Sequence, residues 1–253
     1  MKVCVLASGS KGNCTYVETD HHRILIDIGT TCLNIEKKLK EKDINPSSID
    51  MVLMTHAHTD HISGLPVFLK KYNPSVYITP KIEKEAHLKL SNPIYIDSDL
   101  EIDNMKITVL KTSHDVDDSN GYIIEENGTS VVYITDTGYV NERYHTVLSN
   151  RSVYVFESNH DVEKLMNNPN YPHQTKIRIL SDRGHLSNED SAYYLSKFIG
   201  KDTKIVILAH LSEQNNSPEL ALSSLQKELS SHQKKFSNIV IAQQKEATEL
   251  FEV

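Results

Sequence analysis

Tryptophan is absent from the 253-residue chain, cysteine occurs only three times, and uninterrupted apolar runs reach about five residues, as at 205–209. Crossing a bilayer takes roughly 20 consecutive apolar residues, so a transmembrane helix is excluded. The opening Met1-Lys2-Val3-Cys4-Val5-Leu6 runs straight into a Ser-Gly-Ser turn and lacks the apolar core of a secretory signal. Cys4, Cys14 and Cys32 are odd in number, without CxxC spacing and confined to the start of the chain, which argues against a disulfide framework or a cysteine-rich zinc site. Reduced thiols in a cytoplasmic protein are the expectation. Positive charge is also scarce: 27 basic against 34 acidic residues give a net charge of -7. A protein that coats nucleic acid through a basic surface has the opposite balance. A nuclease whose positive charge resides on bound metal remains compatible. Repeats, low-complexity tracts and Pro/Gly/Ser linkers are missing, so a single domain over 1–253 is expected.

What is present is an alternation of short β-type runs and turns. The runs 2–6, 15–18 and 23–28 read as strands, with Asp20-His21-His22 as the turn between the last two. Leu33, Leu39 and Ile44 among Glu-Lys pairs predict a helix ending before Pro46. A buried-type strand at 51–54 is followed by one helix over 62–72. Further strands are predicted at 76–78, 106–110, 121–125, 130–134, 153–156, 205–208 and 239–242, with Asn127-Gly128 as a hairpin turn. Ser187 reads as the N-cap of a helix with Asp190 three residues on, and 218–229 as another helix. Antiparallel runs in each half with helices outside them give an α+β layered domain.

The chain has 13 histidines, and their placement carries the chemistry. Thr55-His56-Ala57-His58-Thr59-Asp60-His61 packs four ligand-type side chains between a strand and a helix. Residues two apart on an extended segment point the same way, so His56 and His58 can share one ion. Asp60 and His61 lie where the chain turns and can reach a second. Imidazole and carboxylate suit Zn²⁺, Mn²⁺ or Fe²⁺. One such histidine alone would read as an ordinary loop residue; four in HxHxDH order do not. His114, Asp136 and His210 each follow an apolar strand, at one rim of a sheet where loops carry function.

HxHxDH followed by a separate His, Asp and His resembles the motif series of the metallo-β-lactamase fold, a four-layer αβ/βα sandwich. Asp27 in Leu-Ile-Asp-Ile-Gly belongs to the same series. Ala-Ser-Gly-Ser-Lys-Gly-Asn at 7–13, Glu157-Ser158-Asn159-His160-Asp161 and Gly184-His185-Leu186-Ser187-Asn188 look like its YycJ/WalJ branch, compact bacterial proteins regarded as DNA exonucleases. The resemblance implies two divalent metal ions, Zn or Mn. One would be held by His56, His58 and His114, the other by Asp60, His61 and His210, with Asp136 between them. Their shared water, deprotonated near neutral pH, would be the nucleophile on a phosphodiester. Asp27 would orient the histidine loop.

The fold by itself does not choose a substrate. The run from His114 to Gly-Tyr is similar to stretches of tRNase Z and RNase J, and Gly184-His185-Leu186-Ser187 resembles the tRNase Z segment that supplies a leaving-group proton. By that resemblance His185 is the general acid, steered by Glu157; the plainer reading makes His185 a hydrogen-bonded residue at a helix start. His160 and Asp161 are candidates for a phosphate contact or an extra ligand, or ordinary loop residues. Ser8, Ser10 and Asn13 sit in a glycine-containing loop that fits either a phosphate cradle or a tight turn. The stretch between Asp136 and His210 is filled by predicted elements, leaving no room for the β-CASP domain of RNase J. Lysine pairs at 37–38, 70–71 and 234–235 are candidate nucleic-acid contacts, or solvated helix faces. The leading expectation is a DNA exonuclease acting in repair. The alternatives are a hydrolase of small esters, thioesters or cyclic phosphodiesters, and a catalytically inert binding module, which the complete ligand series disfavours. A diiron redox role is disfavoured because His58 stands where such relatives carry glutamate.

Overall fold

The computed structural model describes all residues 1–253. The strands are β1 (Lys2–Ala7), β2 (Cys14–Glu18), β3 (Arg23–Ile26), β4 (Met51–Leu53), β5 (Ser75–Ile78), β6 (Ile94–Tyr95), β7 (Leu100–Ile102), β8 (Met105–Lys111), β9 (Asn120–Glu126), β10 (Thr129–Ile134), β11 (Val153–Glu157), β12 (Ile205–Ala209), β13 (Ile239–Ile241) and β14 (Phe251–Glu252). The α-helices are α1 (Cys32–Lys40), α2 (Thr59–Ile62), α3 (Leu65–Tyr72), α4 (Pro80–Glu85), α5 (His145–Leu148), α6 (Val162–Asn167), α7 (His173–Ile179), α8 (Asn188–Phe198) and α9 (Pro218–Ser231).

Two seven-stranded mixed sheets result, ordered β14-β1-β2-β3-β4-β5-β6 and β13-β12-β11-β10-β9-β8-β7. Each runs antiparallel through its meander and then parallel: β3 to β6 in the first, β10 to β13 in the second. Apart from the edge strands β6 and β13, the parallel strands are short and buried on both faces over most of their length, and they are correspondingly apolar. Val5, Val17 and Ile26 of one sheet meet Ile107, Ile124 and Val155 of the other in a central core. The outer face of the first sheet buries Leu25 and Val52 against Ile35, Leu39 and Phe68 of α1 and α3. The outer face of the second buries Tyr154 and Leu208 against Leu195, Phe198 and Leu225 of α8 and α9. The expected αβ/βα sandwich is therefore the fold.

Several local expectations need correction. The helix predicted over 62–72 starts at Leu65 as α3, while Ile62 ends the separate turn α2; Gly64 N–H donates to Ile28 O at 2.9 Å and ties the break between them to the first sheet. The strand predicted over 23–28 stops at Ile26, where Asp27 turns left-handed at φ 61°. The elements β6, β7, β14, α4, α6 and α7 had no clear sequence signal. One lysine of each pair is tied to the fold, while Lys37, Lys70 and Lys235 stay exposed: Lys38 Nζ donates to Leu6 O at 2.7 Å, Lys71 pairs with Glu36 at 2.7 Å, and Lys234 Nζ caps the end of α8 at Ile199 O, 2.8 Å. Ser187 does cap α8, and Asp190 answers through its side chain to Ser187 Oγ at 2.7 Å, rather than to the backbone as in a usual capping box.

Candidate metal centre

Three of the carboxylate and imidazole side chains at the site leave a sheet at the end of a buried strand. Asp27 follows β3, Asp136 follows β10 and His210 follows β12, and all three are left-handed, at φ 61°, 56° and 56°. For non-glycine residues that conformation costs on the order of 1 kcal/mol each, a strain that concentrates at functional sites. It bends the chain at the rim and sends the side chain over the strand ends rather than outward.

The histidine loop is bolted from below. Asp27 accepts Thr55 N–H at 2.8 Å, Thr55 Oγ1–H at 2.7 Å and His61 Nδ1 at 2.7 Å, all fully buried. From the side, Asn13 N–H donates to Asp60 O at 2.8 Å and Gly29 N–H to Asn13 O at 2.8 Å. A Cβ on Gly29 would lie 1.6 Å from Asp60 O, so only glycine admits the loop this close. Asn13 Nδ2 reaches 2.9 Å from His61 Nε2, and Ser8 Oγ accepts His210 N–H at 2.7 Å. The glycine-containing loop thus acts chiefly as a strap on the histidine loops, and Ser10 alone of its predicted residues lines the cleft.

Across the top, ring nitrogens converge. His58 Nδ1 is 3.2 Å from His56 Nε2 and 3.2 Å from His114 Nε2. His114 Nδ1–H is taken up by Gly184 O at 3.1 Å, which leaves its Nε2 lone pair facing the cluster. A single proton on His58 Nδ1 can at best be split between the other two nitrogens, whereas a shared cation takes a lone pair from all three. His61 Nε2 lies 3.2 Å and His210 Nδ1 2.9 Å from Asp136 Oδ2, and Asp60 Oδ2 3.7 Å from His61 Nε2. Asp136 Oδ2 and His210 Nδ1 are nonetheless buried without a hydrogen bond. The ligand atoms of His56, His58 and His114 form one group within metal-binding reach, His56, His61 and Asp136 a second, His114, Asp136 and His185 a third, and Asp136, Glu157 and His210 a fourth; Asp60 belongs to none of them.

The electrostatics fit a cation as well. Burial works against charge on Asp136, but His210 and His61 outweigh it and hold its pKa well below the usual carboxylate value. Burial also opposes charge on His210 and His61, yet Asp136 pushes His210 up to about 9 and, with Asp27, holds His61 well above an ordinary histidine. Two imidazoles thus keep protons to balance buried carboxylates, the task a divalent ion performs with its own charge. Burial keeps His56 and His114 low, as neutral imidazoles with a free lone pair. The site is of N and O donors and suits divalent metals.

Beside the cluster, Glu157 ends β11 fully buried and holds His185 Nδ1 at 2.7 Å through Oε1, while its Oε2 accepts Thr137 N–H at 2.9 Å. His185 is one-fifth exposed and lines the cleft together with His58, Asp60, His114, Asp136 and His210. Two more polar lining residues escaped the sequence reading. Asp115 Oδ1 lies 3.3 Å from His114 Nε2, and its Oδ2 accepts from Arg178 at 2.7 Å. The signal for Asp115 was its adjacency to His114; nothing in the sequence marked Arg178.

Asp161 and His160 neither line the cleft nor belong to the ligand groups. Asp161 caps α6 by accepting Lys164 N–H at 2.7 Å, and lines a separate surface depression. His160 is fully buried with both ring nitrogens unpartnered. Burial lowers its pKa to about 4. The folded state therefore resists protonation that the unfolded chain accepts, and stability is lost as pH falls from about 6.5 through about 4, by about 3 kcal/mol in total. In metal-free protein, His160→Gln should show a smaller loss of urea resistance between about pH 7 and about pH 4.5 than wild type. Equal acid losses in the two proteins would contradict this.

The profile of the metallo-beta-lactamase superfamily matches residues 7–210. Exodeoxyribonuclease YycJ of Bacillus anthracis is 40% identical over 228 residues, spanning 87% of this chain and 86% of that protein. Exodeoxyribonuclease WalJ of Streptococcus pneumoniae is 36% identical over 234 residues, spanning 87% and 85%. Among solved structures, the metallo-beta-lactamase fold protein YhfI of Bacillus subtilis superposes with a TM-score of 0.74 over 98% of each chain at 17% identity. No helix is long and apolar enough to cross a membrane.

Proposed function

The chain belongs to the metallo-beta-lactamase superfamily, and from that premise we propose that it is a metal-dependent phosphodiesterase, specifically a DNA exonuclease of the cytoplasm that acts in repair as a single domain. The observation that carries the reading is the buried Glu157–His185 pair set against the converging His/Asp cluster. A carboxylate that fixes one ring nitrogen leaves the other to deliver a proton, and departure of a sugar alkoxide needs one.

His56, His58 and His114 would hold one ion and Asp60, His61 and His210 the other, with Asp136 shared. When bound, two such ions, Zn or Mn, activate water and neutralise the phosphate. The chain's own residues do the rest. Asp27, Thr55 and Asn13 fix the histidine loop, Ser8 fixes His210, and Glu157 aims His185 at the leaving oxygen. The cleft measures about 180 Å³, below the 300–1,000 Å³ that encloses a small-molecule ligand. That size favours a substrate most of which lies outside, a polymer, over the alternative of a small ester or thioester.

The test is degradation of end-labelled single- and double-stranded DNA and RNA with Zn²⁺ or Mn²⁺. Progressive shortening of DNA from one end is expected. Protein shown to hold two ions that cuts none of these substrates would move the reading to a small-molecule hydrolase.

A further inference from the structure

Resting on the nuclease reading, we propose that Arg178 is a substrate-binding residue that grips the DNA backbone at a phosphate neighbouring the scissile one. Of the eleven residues lining the cleft, Arg178 is the only one with a permanent positive charge, against Asp60, Asp115 and Asp136. Ions bound in the cluster act on the phosphate being cut. A strand of which that phosphate is one link also brings negative charge to the rim, and on a chain of net charge -7 few groups there attract it.

Arg178 is placed for this by the same turn that carries His185. The last turn of α7 folds back so that His185 N–H donates to Ile179 O at 3.0 Å and Gly184 N–H to Ser181 O at 2.7 Å. A Cβ on Gly184 would sit 2.1 Å from Ile179 O, so the turn closes only around glycine. Arg183 then locks it to the His114 loop, donating to His114 O at 3.0 Å and Val116 O at 3.1 Å. Arg183 is spent on carbonyls; Arg178 is not. Its side chain is 63% exposed and its one partner is the Asp115 carboxylate at 2.7 Å. That bond holds the guanidinium over the mouth while leaving most of its five donors free, a fork that matches two phosphate oxygens.

The test separates this inference from the reading beneath it. Binding is measured by fluorescence anisotropy of a short labelled single-stranded DNA on the His185→Ala protein, expected to cut slowly with its metal content intact, and on the same protein with Arg178→Ala. Loss of one phosphate contact lowers the slope of log affinity against log salt by about 0.7. Affinity should fall about tenfold or more at low salt. Arg178→Lys, which keeps the charge but not the fork, should restore the slope and only part of the affinity. In otherwise wild-type protein, Arg178→Ala should lower kcat/KM on DNA by at least tenfold more than on bis(p-nitrophenyl) phosphate, a diester with no neighbouring phosphate.

An unchanged salt slope, or equal losses on DNA and reporter, overturns the role of Arg178. Wild type that hydrolyses the reporter but neither binds nor cuts DNA overturns the nuclease reading, and the inference with it.

Discussion

Asp60→Ala should reduce turnover at least about a thousandfold and leave the fold standing. The carboxylate is near the mouth of the cleft, its side chain 23% exposed, and although its Oδ2 accepts Asn13 Nδ2 at 3.2 Å, the shorter anchor of the loop, Asn13 N–H to Asp60 O at 2.8 Å, runs through the backbone carbonyl that alanine retains. Several kcal/mol of transition-state stabilisation depend on a complete ligand set, and about 4 kcal/mol is a thousandfold in rate. Bound metal should drop together with activity, while the melting temperature of the metal-free protein changes by only a few degrees. His61→Ala is a poorer choice. His61 Nδ1 sits 2.7 Å from a fully buried Asp27, and its removal strands a carboxylate in the core at a cost of about 3–5 kcal/mol. Metal content and melting of the two variants, measured side by side, check the distinction. An Asp60→Ala protein that keeps two ions and wild-type rates would remove that residue from the ligand set.

His185→Ala should slow cleavage of DNA by about 10²–10⁴-fold with metal content intact, the usual worth of a positioned acid. The deficit should shrink on p-nitrophenyl esters, whose leaving group departs without a proton. A structural role for His185 would depress both substrates alike. Glu157→Gln should act in the same direction, because Glu157 holds both His185 and the Thr137 amide. Normal rates for His185→Ala on an alkoxide leaving group would sink the assignment.

The architecture and the centre of the site were legible in the sequence for a physical reason. Apolar runs of strand length ending in a lone His or Asp mark places where a buried strand reaches a rim, and HxHxDH compresses four ligands into one such rim. Asp136 and His210 were findable because each interrupts an apolar pattern. Arg178 was not, because an arginine in a polar helix looks like any solvated one; only the turn at Gly184 brings it to the cleft. Asp161 misled in the opposite sense. Aspartate three residues before Lys164 is equally a motif residue and a helix cap, and local hydrogen bonding decided for the cap. The short elements β6 and β7 rest on tertiary pairing rather than on local propensity, which is why no run of sequence announced them.

The order of the strands has a consequence for how activity arises. Apart from β14, the first sheet is built from the first hundred residues and the second from the remainder. His56, His58, Asp60 and His61 ride on one sheet; His114, Asp136, His185 and His210 ride on the other. A growing chain that has completed the first sheet owns a cluster of histidines with nothing opposite it, and an isolated second sheet owns a proton donor with nothing to protonate. Hydrolytic capacity does not accumulate as residues are added. It requires the two sheets docked face to face, because neither sheet by itself carries more than half of the cluster.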